Sequence, residues 1–327
     1  MVSRDSFRNP QILAALDSAA SVSDAEDLLN DFASELVKVY QVAPDGRPLV
    51  DAIEEDWYLF TDADAAQAVL SEWLADGSLN PLGISLGDKV SYNDEILSVK
   101  ATWEALKDEI KNRRRFNIDT ISLDNLGWST FLDDARRPLD AGDSYYRARM
   151  LGGKPDLFTP DKMGAPDAQH STAGRANPEG IPYLYLSSGS LTTLYEVRAT
   201  YLDRVAVGEF HIKDGNVVTV MDFAGDGPRI PLIDNDLTAG MKVRMLVRVI
   251  SDDLSTPMRS FYSPVEYVPT QFICEYIRYK YDVDGISFNS SLHKGGVNYV
   301  IFKPELFECV DVAGKEVCTL ELDCKDI

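Results

Sequence analysis

Histidine and cysteine are scarce in this chain. His170, His211 and His293 are the three histidines in 327 residues, and none precedes position 170. They show no metal-ligand spacing. The four cysteines, Cys274, Cys309, Cys318 and Cys324, lie toward the C-terminal end and form no CxxC pair. A zinc site is therefore not expected, and the thiols read as buried or free in a reducing, cytoplasmic setting. Without a histidine before position 170, the first part cannot run histidine-based acid–base chemistry. The chain also lacks a G-x-G-x-x-G turn after a strand, a Walker loop and a G-x-S-x-G elbow, which argues against Rossmann-type dinucleotide binding and the hydrolase elbow. Long apolar runs are missing. The opening segment offers only "ILAAL" before Asp17, too short for a signal peptide, and nothing later approaches a membrane span. Positive charge is in short supply: 32 Lys and Arg stand against 53 Asp and Glu, a formal charge of −21. That argues against nucleic acid or anionic membranes as partners, but leaves room for a few arginines around a small anion.

What is present suits a globular protein, with 45% apolar and 26% charged residues. The length favours two domains. Residues 1–140 hold 27 acidic and 13 basic side chains, a net of −14, and the remainder a net of −7. The acidic first part reads as helical. "NPQILAALDSAA", "SDAEDLLNDFASELVKVY", "DADAAQAVLSEWLA" and "NDEILSVKATWEALKDEIKNRRRF" repeat apolar residues every three or four positions. Ser23 or Asp24 is expected to cap the second of these. "KNRRRF" reads as a solvated helix end, since basic residues favour a helix C-terminus. After Pro138 and Gly142, a plausible linker, short alternating segments read as strands: "YYRARM", "YLYLS", "VAVGEFH", "VVTVMD", "GISFN", "NYVIFK" and "EVCTLEL". Two helical stretches, "DLTAGMKVRMLVRVISDDL" and "TQFICEYIRYKY", lie among them. The expected fold is α+β: a helical domain over 1–138, then a mixed α/β domain over 139–327. A fragment starting near Gly142 is expected to carry every strand and motif.

Residues 151–180 contain nine Gly or Pro, a density that suggests an ordered loop bordering a site. The loop ends on Arg175, in "GRAN". A strand carrying Tyr183 and Tyr185 on one face follows, then a helix expected from about Ser190 to Leu202. Its apolar stripe is read at Leu191, Leu194, Tyr195, Ala199 and Leu202, with Glu196 at the edge of that stripe. Glu196 is either a carboxylate bordering a pocket, or a surface carboxylate, or the far end of a Thr193-x-x-Glu196 capping pair. Arg147 and Arg149 alternate in "YYRARM" and so share a strand face.

The order of these features resembles the RES domain, named for an arginine, a glutamate and a serine. The resemblance rests on the Tyr-Arg strand, the "GR-N-x-x-G" loop, the "YLS" strand and the "T-x-x-E" helix. Further on come a "P-T-Q" helix, a "D-G-I-x-F-x-S" strand and a "G-G-x-N" turn, so the resemblance spans roughly 140–305. The helical part is similar to HEPN-like regions that accompany some RES domains, but lacks the histidine of HEPN ribonucleases. The resemblance implies an ADP-ribosyltransferase-like fold and NAD as the substrate, with no metal and no further cofactor. It implies catalytic roles for Arg147, Glu196 and Ser290, and NAD binding by Arg175 and Tyr185. Ser291 stands beside Ser290 and leaves the motif serine open by one position. The implied activity is cleavage of the nicotinamide–ribose bond by a glycohydrolase or phosphorylase, the latter using inorganic phosphate. The implied setting is a toxin or defence effector with an antitoxin or regulatory partner, and a homo-oligomer is a further expectation. Protein ADP-ribosylation and a catalytically inactive binding module are the alternatives.

Overall fold

A computed structural model describes residues 3–225, 230–233, 236–256 and 264–319. The chain divides into two compact units that interleave along the sequence, where a single cut near residue 138 was expected. One unit comprises residues 1–103, 121–128 and 228–246, and the other 104–120, 129–227 and 247–327.

The first unit contains α1 (Pro10–Ser18), α2 (Val22–Lys38), β1 (Tyr40–Pro48), α3 (Leu49–Trp57), α4 (Ala63–Ala75), β2 (Lys89–Tyr92), the opening turns of α5 (Asp94–Asn112) and α6 (Ile121–Asp124). The three- and four-residue spacing in α2 buries Leu29, Phe32, Ala33 and Leu36. Its cap is Ser21, whose hydroxyl accepts from the Asp24 amide at 3.1 Å. The cap thus lies two residues before the expected position, and Asp24 becomes a first-turn acid. Trp57, Phe60 and Trp73 share this unit's core with Ile230, Leu232, Leu237 and Met241. The ribbon of β1 and β2 was not expected in a helical region. Its partners are distant in sequence, with Tyr40 opposite Tyr92, so no local pattern announces it. Gly46 lets the ribbon close, because a Cβ there would stand 2.3 Å from the Val90 carbonyl oxygen.

The second unit is built on an eight-stranded sheet. In chain order its elements are α7 (Trp128–Asp134), β3 (Arg136–Pro138), β4 (Tyr145–Met150), β5 (Leu184–Ser187), α8 (Ser190–Glu196), β6 (Arg204–Ile212), β7 (Thr219–Asp222), α9 (Leu237–Ser255), α10 (Val268–Tyr281), β8 (Gly285–Asn289), β9 (Val297–Ile301) and β10 (Phe307–Glu316). The first residue of α7 and the opening turns of α9 fall in the first unit. Among the described residues the strand order is β10-β6-β4-β5-β9-β8-β7-β3, and only the β7–β8 pairing is parallel.

Two strands differ from expectation. Arg136–Pro138, which runs into the expected linker at Pro138, pairs with Thr219–Met221 at the sheet edge; a proline tolerates an edge because its missing N–H breaks no central ladder. Among the described residues the last strand is Phe307–Glu316, which pairs along β6. Its residues alternate poorly because most face solvent. Of the expected strand "EVCTLEL", Glu316 ends this strand and residues 317–319 are not strand. Residues 320–322 of that segment lie outside the described residues, as does Cys324. Among the described residues, Cys274, Cys309 and Cys318 are free thiols, and no helix is long and apolar enough to cross a membrane. The "KNRRRF" segment begins at the end of α5, where Arg113 and Arg114 pair with Asp108 and Glu109.

Apolar packing flanks β4. Tyr145, Leu184, Leu186, Phe210 and Ile301 form one cluster. Ala148, Val205 and Val207 form another, against Tyr146, Leu194, Val197 and Ala199. That second cluster seats α8. Burying one leucine-sized side chain is worth about 1.5–3 kcal/mol, enough to hold a seven-residue helix that could not stand alone.

Candidate active site

Helix α8 is shorter than the sequence suggests. It ends at Glu196, and Arg198 and Leu202 both have positive φ, so the chain leaves the helix well before Leu202. The expected apolar stripe is also displaced. Leu191, Tyr195 and Leu202 are exposed, while Leu194, Val197 and Ala199 pack on the sheet. Packing follows the geometry of a short helix ending at Glu196, not the longer wheel. The capping pair does not form either: the cap is Gly189, and the Thr193 hydroxyl donates to the Ser190 carbonyl at 2.8 Å.

Glu196 therefore occupies the last residue of a helix, where the macrodipole disfavours an anion by about 0.3–1 kcal/mol. Two donors outweigh this. Ser290 Oγ donates to Glu196 Oε1 at 2.7 Å, and Asn298 Nδ2 donates to the same oxygen at 2.8 Å. Hydrogen bonds to a charged acceptor are worth about 1.5–3 kcal/mol each. The donors are themselves fixed. Ser187 Oγ donates to Asn298 Oδ1 at 2.7 Å, and the amides of Leu292 and His293 donate to Ser290 Oγ at 3.3 and 3.1 Å. Both lone pairs of the serine are thus engaged, and its proton is aimed at Glu196. Ser291 turns away and donates to the Ser255 carbonyl. The geometry distinguishes the two serines that the sequence left open. Glu196 Oε2 accepts no hydrogen bond among the described residues.

Arg175 sits in the loop before β5. Burial lowers its basicity, and the nearby charge of Glu196 opposes that effect. Its Nη1 donates to the Leu254 carbonyl at 2.8 Å. Helix α10 grips the backbone of this loop: Thr270 Oγ1 donates to the Arg175 carbonyl at 2.6 Å, and Gln271 Nε2 donates to the carbonyls of Gly174 and Asn177 at 2.7 and 3.0 Å. Tyr185 holds the loop from below, donating to Asn177 Oδ1 at 2.6 Å and accepting from the Ala176 amide at 3.3 Å. Burial pushes its phenol well above the ordinary value. Tyr183 is separate. It is buried against Phe302, with ring centroids 4.9 Å apart.

Arg147 stands where the sheet splits. β4 pairs with β6 over six residues but meets β5 only at Tyr146 and Ser187, so the two strands part immediately beyond. Arg147 Nη1 is buried without a partner. Burial, then the like charge of Arg149, pushes its pKa down to about 10, with Tyr185 as the opposing neighbour. It remains a cation at neutral pH. Arg149 shares the strand face but not the environment. It donates to the Lys162 carbonyl and lies over the Phe158 ring at 4.4 Å, fastening the Gly- and Pro-rich loop.

The structure thus joins Glu196 to Ser290 by a hydrogen bond, sets Arg175 within electrostatic reach of Glu196, and ties Tyr185 to the Arg175 loop. Arg147 makes no hydrogen bond to any of them. Asn298 and His293 are not among the site residues expected from the sequence. Asn298 is the last residue of the "G-G-x-N" turn, so its signal was present. His293 Nδ1 shares a hydrogen bond with Thr192 Oγ1 at 2.9 Å, and its ring stacks on Tyr195, 5.0 Å between centroids and 14° from parallel. Only the fold brings those residues together. Among the described residues, no cluster of His, Cys, Asp and Glu could hold a metal ion.

Comparison with known proteins gives a match to the RES domain family over residues 144–323. No curated protein matches. Among solved structures, the crystal structure of the M. tuberculosis MbcT–MbcA toxin–antitoxin complex aligns with 58% of this chain and 92% of its own, at 14% identity and a TM-score of 0.36.

Proposed function

This chain belongs to the RES domain family, and we propose that it consumes NAD by cleaving the nicotinamide–ribose bond, with water or inorganic phosphate as acceptor. The observation that carries the reading is the carboxylate of Glu196, fixed through Oε1 alone by Ser290 and Asn298. Leaving-group departure builds oxocarbenium-like positive charge on the ribose. A preorganised carboxylate stabilises that charge where it develops. Oε2 is the oxygen available to the ribose hydroxyls. Arg175 and the unpartnered Arg147 guanidinium supply charge for the pyrophosphate, and guanidinium forks suit phosphate oxygens. Tyr185 contributes by holding the Arg175 loop. Ser290 acts on Glu196, since its proton and both lone pairs are already engaged.

In this reading the protein is a toxin or defence effector, and its helical part, with the HEPN-like character suggested by sequence, regulates access or binds an antitoxin-like partner. The test is incubation of the purified chain with NAD, with and without phosphate, and identification of every product. Nicotinamide with ADP-ribose supports a glycohydrolase, and nicotinamide with ADP-ribose-1″-phosphate supports a phosphorylase. Adenylate label retained on one protein without loss of free NAD replaces both with a protein ADP-ribosyltransferase. No turnover and no label leaves a binding module.

A further inference from the structure

We propose that His293 is a positioning residue for Glu196, acting through the turn that carries Ser290. The inference rests on the reading of Glu196 given above, and its observations are independent of that reading. Residues 290–296 form a closed turn: the Ser290 amide donates to the Gly296 carbonyl at 2.8 Å, and the Gly296 amide to the His293 carbonyl at 3.0 Å. Inside it, the backbone N–H of His293 donates to Ser290 Oγ. This amide and that of Leu292 occupy its lone pairs, which holds the Ser290 oxygen in place with its proton directed at Glu196.

The His293 side chain then fastens the turn to α8, the helix that bears Glu196. Nδ1 bonds to the buried hydroxyl of Thr192, and the ring lies flat on Tyr195. Thr192 and Tyr195 are three apart on the helix, one residue before the glutamate, so a single imidazole grips one side of α8 twice. Gly296 permits the close approach, since a Cβ there would meet Thr192 Cγ2 at 2.6 Å and His293 Nδ1 at 3.1 Å. The carboxylate and the donor that fixes it thus stand on two separate segments, and His293 is a clamp between them. Loss of the clamp lets the turn drift. A displacement on the order of 1 Å at a reacting group can cost about 100-fold in rate.

The test compares His293→Asn, His293→Gln and His293→Ala. An asparagine amide falls near the place of Nδ1 and can donate to or accept from Thr192, whereas a glutamine amide falls one carbon further out. The expected result is kcat for NAD consumption lowered roughly 10- to 100-fold in the Ala and Gln variants. KM should stay within about twofold, and the Asn variant should recover most of the rate; a purely structural lesion would not separate Asn from Gln. Rates for all three within twofold of the parent, or equal losses in all three, would overturn the proposal. Crystal structures of the Ala and Asn variants give a second arm that needs no turnover. The Ser290–Glu196 hydrogen bond should be lost in Ala and kept in Asn; its retention in both also overturns the proposal. If the parent chain itself does not consume NAD, the functional reading fails, and the crystallographic arm alone judges the clamp.

Discussion

The two carboxylate oxygens of Glu196 differ in their surroundings: Oε1 takes both donors and Oε2 none among the described residues. Glu196→Gln keeps the shape and removes the charge. It should lower NAD turnover on the order of 10²–10³-fold with an unchanged circular dichroism spectrum, measured as single-turnover nicotinamide release; full activity would end the assignment. The arginines separate by environment. Arg147→Ala and Arg175→Ala should each weaken NAD binding by about 1.5–3 kcal/mol, the range for hydrogen bonds to charged groups. Arg149→Ala should cost less, because Arg149 is engaged with Lys162 and Phe158. Calorimetry on the Glu196→Gln background reads all three without turnover, and equal losses would mean diffuse electrostatics. Arg147 also carries a stability cost, since its buried Nη1 lacks a partner. Arg147→Met should therefore raise the unfolding free energy by about 1–3 kcal/mol while reducing NAD-induced stabilisation. Urea titrations with and without NAD check both halves, and a destabilised variant would show that the guanidinium is better satisfied than its contacts imply.

Among elements, the loop before β5 is held from two sides, by α10 through Thr270 and Gln271 and by Tyr185 through Asn177. Gly174 is the point of closest approach. A Cβ there would stand 2.5 Å from Asn177 Oδ1 and 2.7 Å from the Tyr185 hydroxyl. Gly174→Ala should cost about 1–3 kcal/mol of stability, as overpacking does, and should weaken NAD binding through Arg175. Tyr185→Phe should reproduce the binding loss with a smaller stability change, since the ring stays and only the hydroxyl leaves. Thermal unfolding and calorimetry on the two variants would separate the effects; unchanged NAD affinity in both would detach the loop from the site.

For the whole molecule, the interleaved units change what a truncation should do. A fragment from Gly142 keeps Arg147, Arg175, Glu196 and Ser290, but it loses β3 and uncovers the edge of β7. Starting at residue 129 restores β3. Either fragment still carries Ile230, Leu232, Leu237 and Met241, whose buried faces belong to the core of the first unit. Both should bind a hydrophobic dye and aggregate more readily than the full chain. A monomeric, cooperatively folding 142–327 would show that the sheet unit is independent after all. Unpaired edges and exposed apolar faces are the usual causes of association.

By itself the sequence determined the α+β class, most of the strands and helices, and the motif order that marks the family. These are local properties: periodicities of two and of three to four, turn-forming residues, and short motifs on adjacent elements. It also placed Arg147, Arg175, Tyr185, Glu196 and Ser290 as candidates. Only the tertiary structure decided where α8 ends, because seven residues seated on Ala148, Val205 and Val207 do not follow the wheel of a longer helix. Only it found β1, β2, β3 and β10, whose partners lie tens of residues away and whose own alternation is weak. The choice of Ser290 over Ser291 likewise rested on which hydroxyl meets a carboxylate 94 residues earlier in the chain, and Asn298 and His293 joined the site in the same way. A hydrogen bond between distant segments leaves no periodic trace in either of them, so residues defined by such bonds become visible only once the chain has folded.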